Sequence, residues 1–239
     1  MGDNTPRYKR VLIKISGEAL AGDKHFGLDF DIIKNVCSVI KKCVDAGVEI
    51  GLVVGGGNFW RGLKDGNGKM ERTRADYMGM MATVMNCLAV ADVMEQLDIP
   101  VRVQTALTIK EVAEPYTKPR AVKHLREGKV VVFGCGTGSP YFSTDTAAVL
   151  RAVEIEAEAI LLAKNVDGVY SADPKKDPDA VKYDEISYEQ VLANHLTVMD
   201  STATSLAMDN DMPLVLFALE DPENIYRVIM GEKIGTIVD

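Results

Sequence analysis

Short apolar, β-branched runs recur along the chain at residues 11–15, 49–54, 101–104, 129–133, 159–162, 213–217 and 236–238. Runs of this length, bounded by turn residues, predict strands. Between them lie stretches with helical period at 30–46, 72–96, 121–127, 144–156, 188–193, 201–210 and 222–230. In the first of these, Ile32, Ile33, Val36, Val39, Ile40 and Val44 form one apolar stripe. Strand and helix in alternation predict an α/β fold, a three-layer αβα sandwich with a mainly parallel central sheet. Functional loops are then expected at the carboxyl ends of the strands.

Residues 1–8 read as a flexible tail and 9–239 as a single domain with two lobes. The polar stretch 171–184, with Asp173-Pro174 and Asp177-Pro178, reads as a long exposed loop between the halves. The segment 72–96 has Met78, Met81, Met85 and Leu88 on one face and Met80, Val84, Cys87, Ala91 and Met94 on another. A helix apolar nearly all round should be buried on both sides, which points to a subunit interface as well as a core. The plainer alternative is a central core helix. Its uncharged part, 77–91, is shorter than the ~20 residues that span a bilayer and contains Gly79, Thr83 and Asn86, so no membrane role is expected.

A chain of 239 residues with 26% charged side chains is long enough for one large core and is ordinary for a globular protein. Its net charge of −8 argues against a nucleic-acid groove, and the basic run Arg7-Tyr8-Lys9-Arg10 reads as the solvated start of a strand. Cys37, Cys43, Cys87 and Cys135 form no CxxC pair, as expected of reduced thiols in a cytoplasmic protein. His25, His124 and His195 lack metal-ligand spacing, and the amino terminus is too polar for a leader.

Chemistry concentrates in five segments. Lys14-Ile15-Ser16-Gly17 and Gly55-Gly56-Gly57-Asn58 each follow a strand, and such turns let backbone amides approach a phosphate. Arg61 favours an anion there, although Lys14 could be a surface charge and the glycines a plain tight turn. No GxxxxGK[ST] loop occurs, which points to a kinase of another lineage. Asp76, in Thr73-Arg74-Ala75-Asp76, is either a helix-start acid or a hydroxyl-binding carboxylate. The run from Gly134 to Asp145 is dense in glycines and hydroxyls around Tyr141-Phe142, as suits a polar planar ligand, and Asp145 could merely cap its helix. The fifth segment runs from Asn165 to Pro174.

Val166-Asp167-Gly168-Val169-Tyr170, with Ala172-Asp173-Pro174, resembles the nucleotide-binding loop of the amino acid kinase family. Lys14 to Leu20, Gly55 to Asn58 with Arg61, Gly136 to Phe142 and Met230-Gly231-Glu232-Lys233 extend the likeness from about Tyr8 to the carboxyl terminus. Within the family these segments together closely resemble the bacterial members that act on UMP. The resemblance implies transfer of the ATP γ-phosphate to UMP, giving UDP and ADP, in pyrimidine nucleotide (CTP) biosynthesis. It implies Mg²⁺ brought mainly by the ATP phosphates, with no protein metal site. Lys14, Arg61 and Asp145 would be catalytic. Lys14, Ile15, Ser16, Gly17, Gly57, Arg61, Lys164, Asn165, Tyr170 and Asp173 would bind ATP, with a backbone contact equally open at Lys164. Gly56, Asp76, Thr137, Gly138, Ser139, Pro140, Tyr141, Phe142, Ser143 and Thr144 would bind UMP. The amino-terminal lobe would hold UMP and the dimer interface, and the lobe from about residue 135 would hold ATP. A cytoplasmic homohexamer is implied. GTP as activator and UTP as inhibitor are further implications, GTP near residues 22–27, where Asp23-Lys24-His25 has no distinctive chemistry.

Two anionic nucleotides must meet in such a reaction. At about 5 Å and an effective dielectric near 20, each pair of unit charges repels by roughly 3 kcal/mol. Lys14, Arg61, Mg²⁺ and the amides of 55–57 are the means of neutralising it. Asp145 would orient Lys14 or the metal, and Asp200 is either a lesser participant or a helix cap. Competing readings are an amino acid or carbamate kinase of the same fold, a non-catalytic nucleotide- or oxyanion-binding protein, and a dinucleotide-dependent oxidoreductase, which lacks its GxGxxG run.

Overall fold

Helices and strands alternate from β1 (Arg10–Ile15) through α1 (Gly17–Ala21), α2 (Phe30–Asp45) and β2 (Glu49–Val54) to the long α3 (Arg72–Gln96). Next come β3 (Val101–Thr105), β4 (Glu114–Pro115), α4 (Lys118–Arg126), β5 (Val130–Gly134) and α5 (Thr144–Glu154). They are followed by β6 (Ala159–Lys164), β7 (Val169–Tyr170), β8 (Lys182–Tyr183), β9 (Glu185–Ile186) and α6 (Tyr188–Ala193). The chain closes with α7 (Ser201–Asp209), β10 (Leu214–Ala218), α8 (Glu223–Ile229) and β11 (Thr236–Val238). The structure, a computed structural model, describes residues 5–61, 68, 70–172, 174, 176–196 and 198–239.

Among the described residues one nine-stranded sheet runs β4-β3-β5-β2-β1-β6-β10-β11-β9, and every pairing in it is parallel except β10 with β11. The chain leaves β1 toward β2 on one side, while β6 flanks β1 on the other. The carboxyl ends of β5, β2, β1 and β6 therefore stand in a row, and a crevice forms where the order reverses. In register, Lys14 lies beside Val53 and Leu162.

The alternation along β1 assigns its side chains to two cores. Val11, Ile13 and Ile15 pack with α2, α3 and α8 residues such as Ile33, Ile40, Met94 and Ile225. Leu12 packs with Leu125 of α4, Val149 of α5 and Ala203 of α7 on the other face. Each such fully buried Leu or Ile contributes about 1.5–3 kcal/mol, which makes the strand row a rigid base for the loops at its tips.

The seven predicted strands and seven predicted helices are all present, with ends shifted by a few residues. The sequence reading omits α1, whose five residues are too few for a periodic stripe, and the two-residue strands β4, β7, β8 and β9. The stretch 171–184 is not simply a loop: β7 and β8 pair antiparallel, and Ser171 N–H donates to Val181 O at 2.9 Å. At the amino terminus, Tyr8, expected in a loose tail, is buried in the core, and Arg7 N–H donates to Ile229 O at 2.9 Å. The aromatic ring provides the apolar surface that docks the segment.

Helix α3 is long and apolar enough by composition to cross a bilayer. It instead packs on β3, β5 and α2, and it buries polar side chains that lipid could not satisfy. Asn86 donates to Gly55 O at 2.6 Å and exchanges amide hydrogen bonds with Asn58. Met80, Val84, Cys87, Ala91 and Met94 are buried, but Tyr77, Met78, Met81, Met85 and Leu88 remain 37–46% exposed in the single chain. The four cysteines are free and buried, and burial pushes the thiols of Cys37 and Cys43 up to about 12.

Candidate active site

Lys14 sits one residue before the end of β1, and its side chain emerges on the α5 face. Its Nζ lies 2.6 Å from Asp145 Oδ1, with both side chains largely shielded from water. The contact is a charge pair without hydrogen-bond alignment at that oxygen. Asp145 stands in the first turn of α5, where a carboxylate is favoured by the helix dipole, so it is more than a cap. The cap itself is Ser143, whose Oγ accepts from the amides of Asp145 and Thr146. Lys164, at the end of β6, brings a second ammonium to 4.0 Å from Asp145 Oδ2 and donates to Val198 O. Burial lowers the Lys164 pKa, Asp145 opposes that shift, and Lys14 adds to it.

Ser16 caps α1 by accepting from the amide of Ala19 at 3.2 Å. A Cβ at Gly17 would stand 2.4 Å from Asn58 Oδ1 and 2.5 Å from Gly55 O, so the two glycine turns interlock. Gly55 N–H is already given to Ile15 O at 2.9 Å. At Gly56 a Cβ would meet Gly79 O at 2.8 Å, and this glycine lets the turn lie against α3. Ile15 itself is buried core, with only its backbone at the sheet edge. Arg61 pairs with Glu18 and donates to Gly57 O at 3.3 Å.

A cavity of about 280 Å³ opens between the second glycine turn, the start of α3 and the loop after β5. Gly56, Gly57, Arg61, Asp76, Thr137, Ser139, Phe142, Ser143 and Thr144 line it, as do Trp60, Met80 and Thr83, which were not expected in the site. Trp60 adjoins the glycine turn and Thr83 lies on the buried face of α3, and those positions were the signals for both. Of the remaining expected acceptor residues, Gly138 and Pro140 do not line it. Gly138 has φ +82° and would press a Cβ to 3.1 Å from Ala106 Cβ. Tyr141 lines a neighbouring cleft with Arg72 and Asp200. Asp76 is held by Arg72 Nε at 2.7 and 2.8 Å, and it accepts the amide of Tyr141 at 2.8 Å. That amide contact helps hold Tyr141 at φ 72°, a left-handed conformation costly for a residue with a Cβ.

Asp200 caps α7 by accepting from the amide of Ala203 at 3.0 Å. It also accepts from Ser143 and, at 3.3 Å, from Thr146, which ties α7 to the start of α5. Of the residues expected around adenosine, Asn165 lines a separate cavity of about 600 Å³ with Glu18, Asp23, His25, Arg61 and Glu220. Tyr170 OH donates to Asp167 at 2.9 Å in the β7–β8 hairpin, and Asp173 lies outside the described residues. The centre thus offers one buried and one half-buried ammonium group around one carboxylate, a guanidinium at the rim and a cavity alongside. Among the described residues no three His, Cys, Asp or Glu side chains group as metal ligands, and Asp145 and Asp200 are the carboxylates nearest the centre.

The pattern of the amino acid kinase family matches residues 9–218. The structure is similar to that of a UMP kinase from Bacillus anthracis, with TM-score 0.94 and 38% identity over 97% of this chain and 96% of that one. A UMP kinase from Ureaplasma parvum gives TM-score 0.91 and 36% identity over 98% and 99%. A uridylate kinase from Archaeoglobus fulgidus gives TM-score 0.74 and 28% identity over 96% and 99%.

Proposed function

The chain belongs to the amino acid kinase family, and we propose that it is a UMP kinase, transferring the γ-phosphate of ATP to UMP to give UDP and ADP. The observation that carries this reading is the nearly full-length correspondence with UMP kinases of two bacteria. The geometry agrees with it. An acceptor cavity walled by Trp60, Met80 and Phe142 suits a planar base, and it adjoins the cations needed to bring two phosphates together.

In the mechanism, a phosphate oxygen of UMP attacks the γ-phosphorus, the bond to the β-phosphate oxygen breaks, and ADP leaves. The protein supplies position and charge rather than a nucleophile. Lys14 neutralises the transferring phosphoryl group, and Asp145 fixes its direction. Arg61 exchanges Glu18 for a phosphate at the rim, and the amides of Gly17 and Gly57 are the backbone donors assigned to the phosphates. Gly56, Asp76 and Thr137–Thr144 receive UMP, with Asp76 accepting from the ribose. Lys164, Asn165, Tyr170 and Asp173 attend ATP. Mg²⁺, which offsets phosphate charge, fits a site made mainly by ATP oxygens, because Asp145 is already shared by two lysines.

The finer features of the proposal are a cytoplasmic homohexamer in pyrimidine nucleotide synthesis, with the exposed apolar face of α3 as the dimer contact. GTP as activator, near residues 22–27, and UTP as inhibitor complete the proposal. A coupled ADP-release assay across UMP, CMP, dUMP, glutamate, aspartate and carbamate, with and without GTP, tests the whole. UDP formation selective for UMP is expected. Turnover confined to an amino acid or carbamate, or no turnover at all, sinks the reading.

A further inference from the structure

We propose that Arg151, a buried side chain with no contact to the acceptor cavity, is a positioning residue that sets the uridylate-binding loop. The inference rests on the UMP kinase reading. Arg151 lies on α5 and is only 4% exposed. Its guanidinium carbon lies 3.9 Å from the ring centroid of Tyr116, and its Nη1 pairs with Glu154. Nη2 reaches the other way and donates to Gly136 O at 3.4 Å. Tyr116 OH closes the triangle by donating to Glu154 at 2.6 Å, and its ring meets Phe133 of β5 edge-on at 5.6 Å.

Gly136 is a wall residue of the acceptor cavity and has φ +55°; Cys135 before it has φ +64°. Two successive left-handed residues are needed for the chain to turn from β5 into Thr137 and Ser139. Each is held from a different layer. The amide of Cys135 donates to Thr83 Oγ1 at 2.8 Å from the α3 side, and the carbonyl of Gly136 accepts from Arg151 on the α5 side. A buried cation is tolerated only when paired and hydrogen-bonded, and here Glu154 and Tyr116 meet that cost. A planar fork can stack, pair and donate at once, whereas the point charge of lysine cannot. A guanidinium at this site is thus suited to fixing a carbonyl, not merely to balancing Glu154.

The test compares Arg151→Lys with Arg10→Lys. Arg10 is also shielded and paired, with Glu49 and with Ile155 O at 2.6 Å, but it opens β1, at the end of the strand away from the glycine turns. UDP formation by the unaltered enzyme is measured first. The expected result for Arg151→Lys is a roughly tenfold rise in KM for UMP, the size of one charge-assisted hydrogen bond. Turnover and KM for ATP should stay within about twofold, the split that marks lost acceptor binding. Arg10→Lys should lower the melting temperature without moving KM for UMP. If Arg151→Lys does not fold, Arg151→Met, which keeps the stem and deletes the donor to Gly136 O, is read the same way. An unchanged KM for UMP, or the same kinetic change in both arginine variants, overturns the proposal while leaving the function intact. Absence of UDP from the unaltered enzyme overturns both.

Discussion

Replacing Lys14 by Met keeps the stem that fills the end of β1 and deletes only the charge, so it isolates the role of that charge. The pair with Asp145 at 2.6 Å and the approach of Lys164 at 4.0 Å are the relevant contacts. At an effective dielectric near 20 these attractions are about 6 and about 4 kcal/mol before desolvation. Deleting one partner of a shielded pair usually costs about 3–5 kcal/mol, because the other charge is left alone. Here the carboxylate keeps Lys164 as a partner, and repulsion between the two ammonium groups is relieved, so the expected loss falls below that range, about 2 kcal/mol. Catalysis has no such substitute, since Lys164 stands on the next strand and already donates to Val198 O. Turnover should fall roughly 10²–10³-fold, as when a charge-stabilising donor is removed from a transition state, with KM for UMP little changed. Urea unfolding followed by circular dichroism measures the first quantity, and initial rates of ADP release measure the second. Turnover within a few-fold of the unaltered protein refutes the phosphate role. A loss of stability well beyond about 3 kcal/mol refutes the covering role of Lys164.

Burial places the Lys164 pKa below its ordinary value in the folded protein. Between that lowered value and the unfolded one, the unfolded chain binds the extra proton, so its contribution to stability rises with pH there. The ammonium is correspondingly lost at lower pH than an ordinary lysine, and the alkaline limb of kcat/KM for ATP should begin early. Lys164→Arg should move that limb upward, and coincident pH profiles would show that the charge is not used. Asp76→Ala removes both the proposed ribose acceptor and the partner of the Tyr141 amide, and it should raise KM for UMP roughly tenfold. It should also weaken discrimination against dUMP, so an unchanged UMP to dUMP ratio counts against the ribose contact. Met85→Glu, on the exposed face of α3, should reduce the assembly mass in sedimentation velocity while leaving the helix folded; an unaltered mass removes that face from the interface.

The amino-acid sequence by itself determined the elements and the chemistry on offer. Runs such as 49–54 and the stripe from Ile32 to Val44 are local patterns, because strand and helix periods repeat within a few residues. The glycine turns after β1 and β2 were legible for the same reason, and the loop from Asn165 to Pro174 was legible as a family motif. Two-residue strands such as β4 and β9 were not, since two positions carry no period and the pairing that makes them strands lies elsewhere in the chain. Only the tertiary structure decided which charges meet. Lys14 and Asp145 are far apart in sequence, and they pair because α5 returns across the sheet to the tip of β1. It also divided roles that composition treats alike. Ile15 faces the core while Lys14 beside it faces the crevice, because successive strand residues point to opposite faces. Asp200 caps α7 and also ties it to the start of α5, and Arg151 reaches a loop through its buried fork. Such contacts depend on distances between distant segments, and those exist only once the sheet order has brought the strand tips into one row.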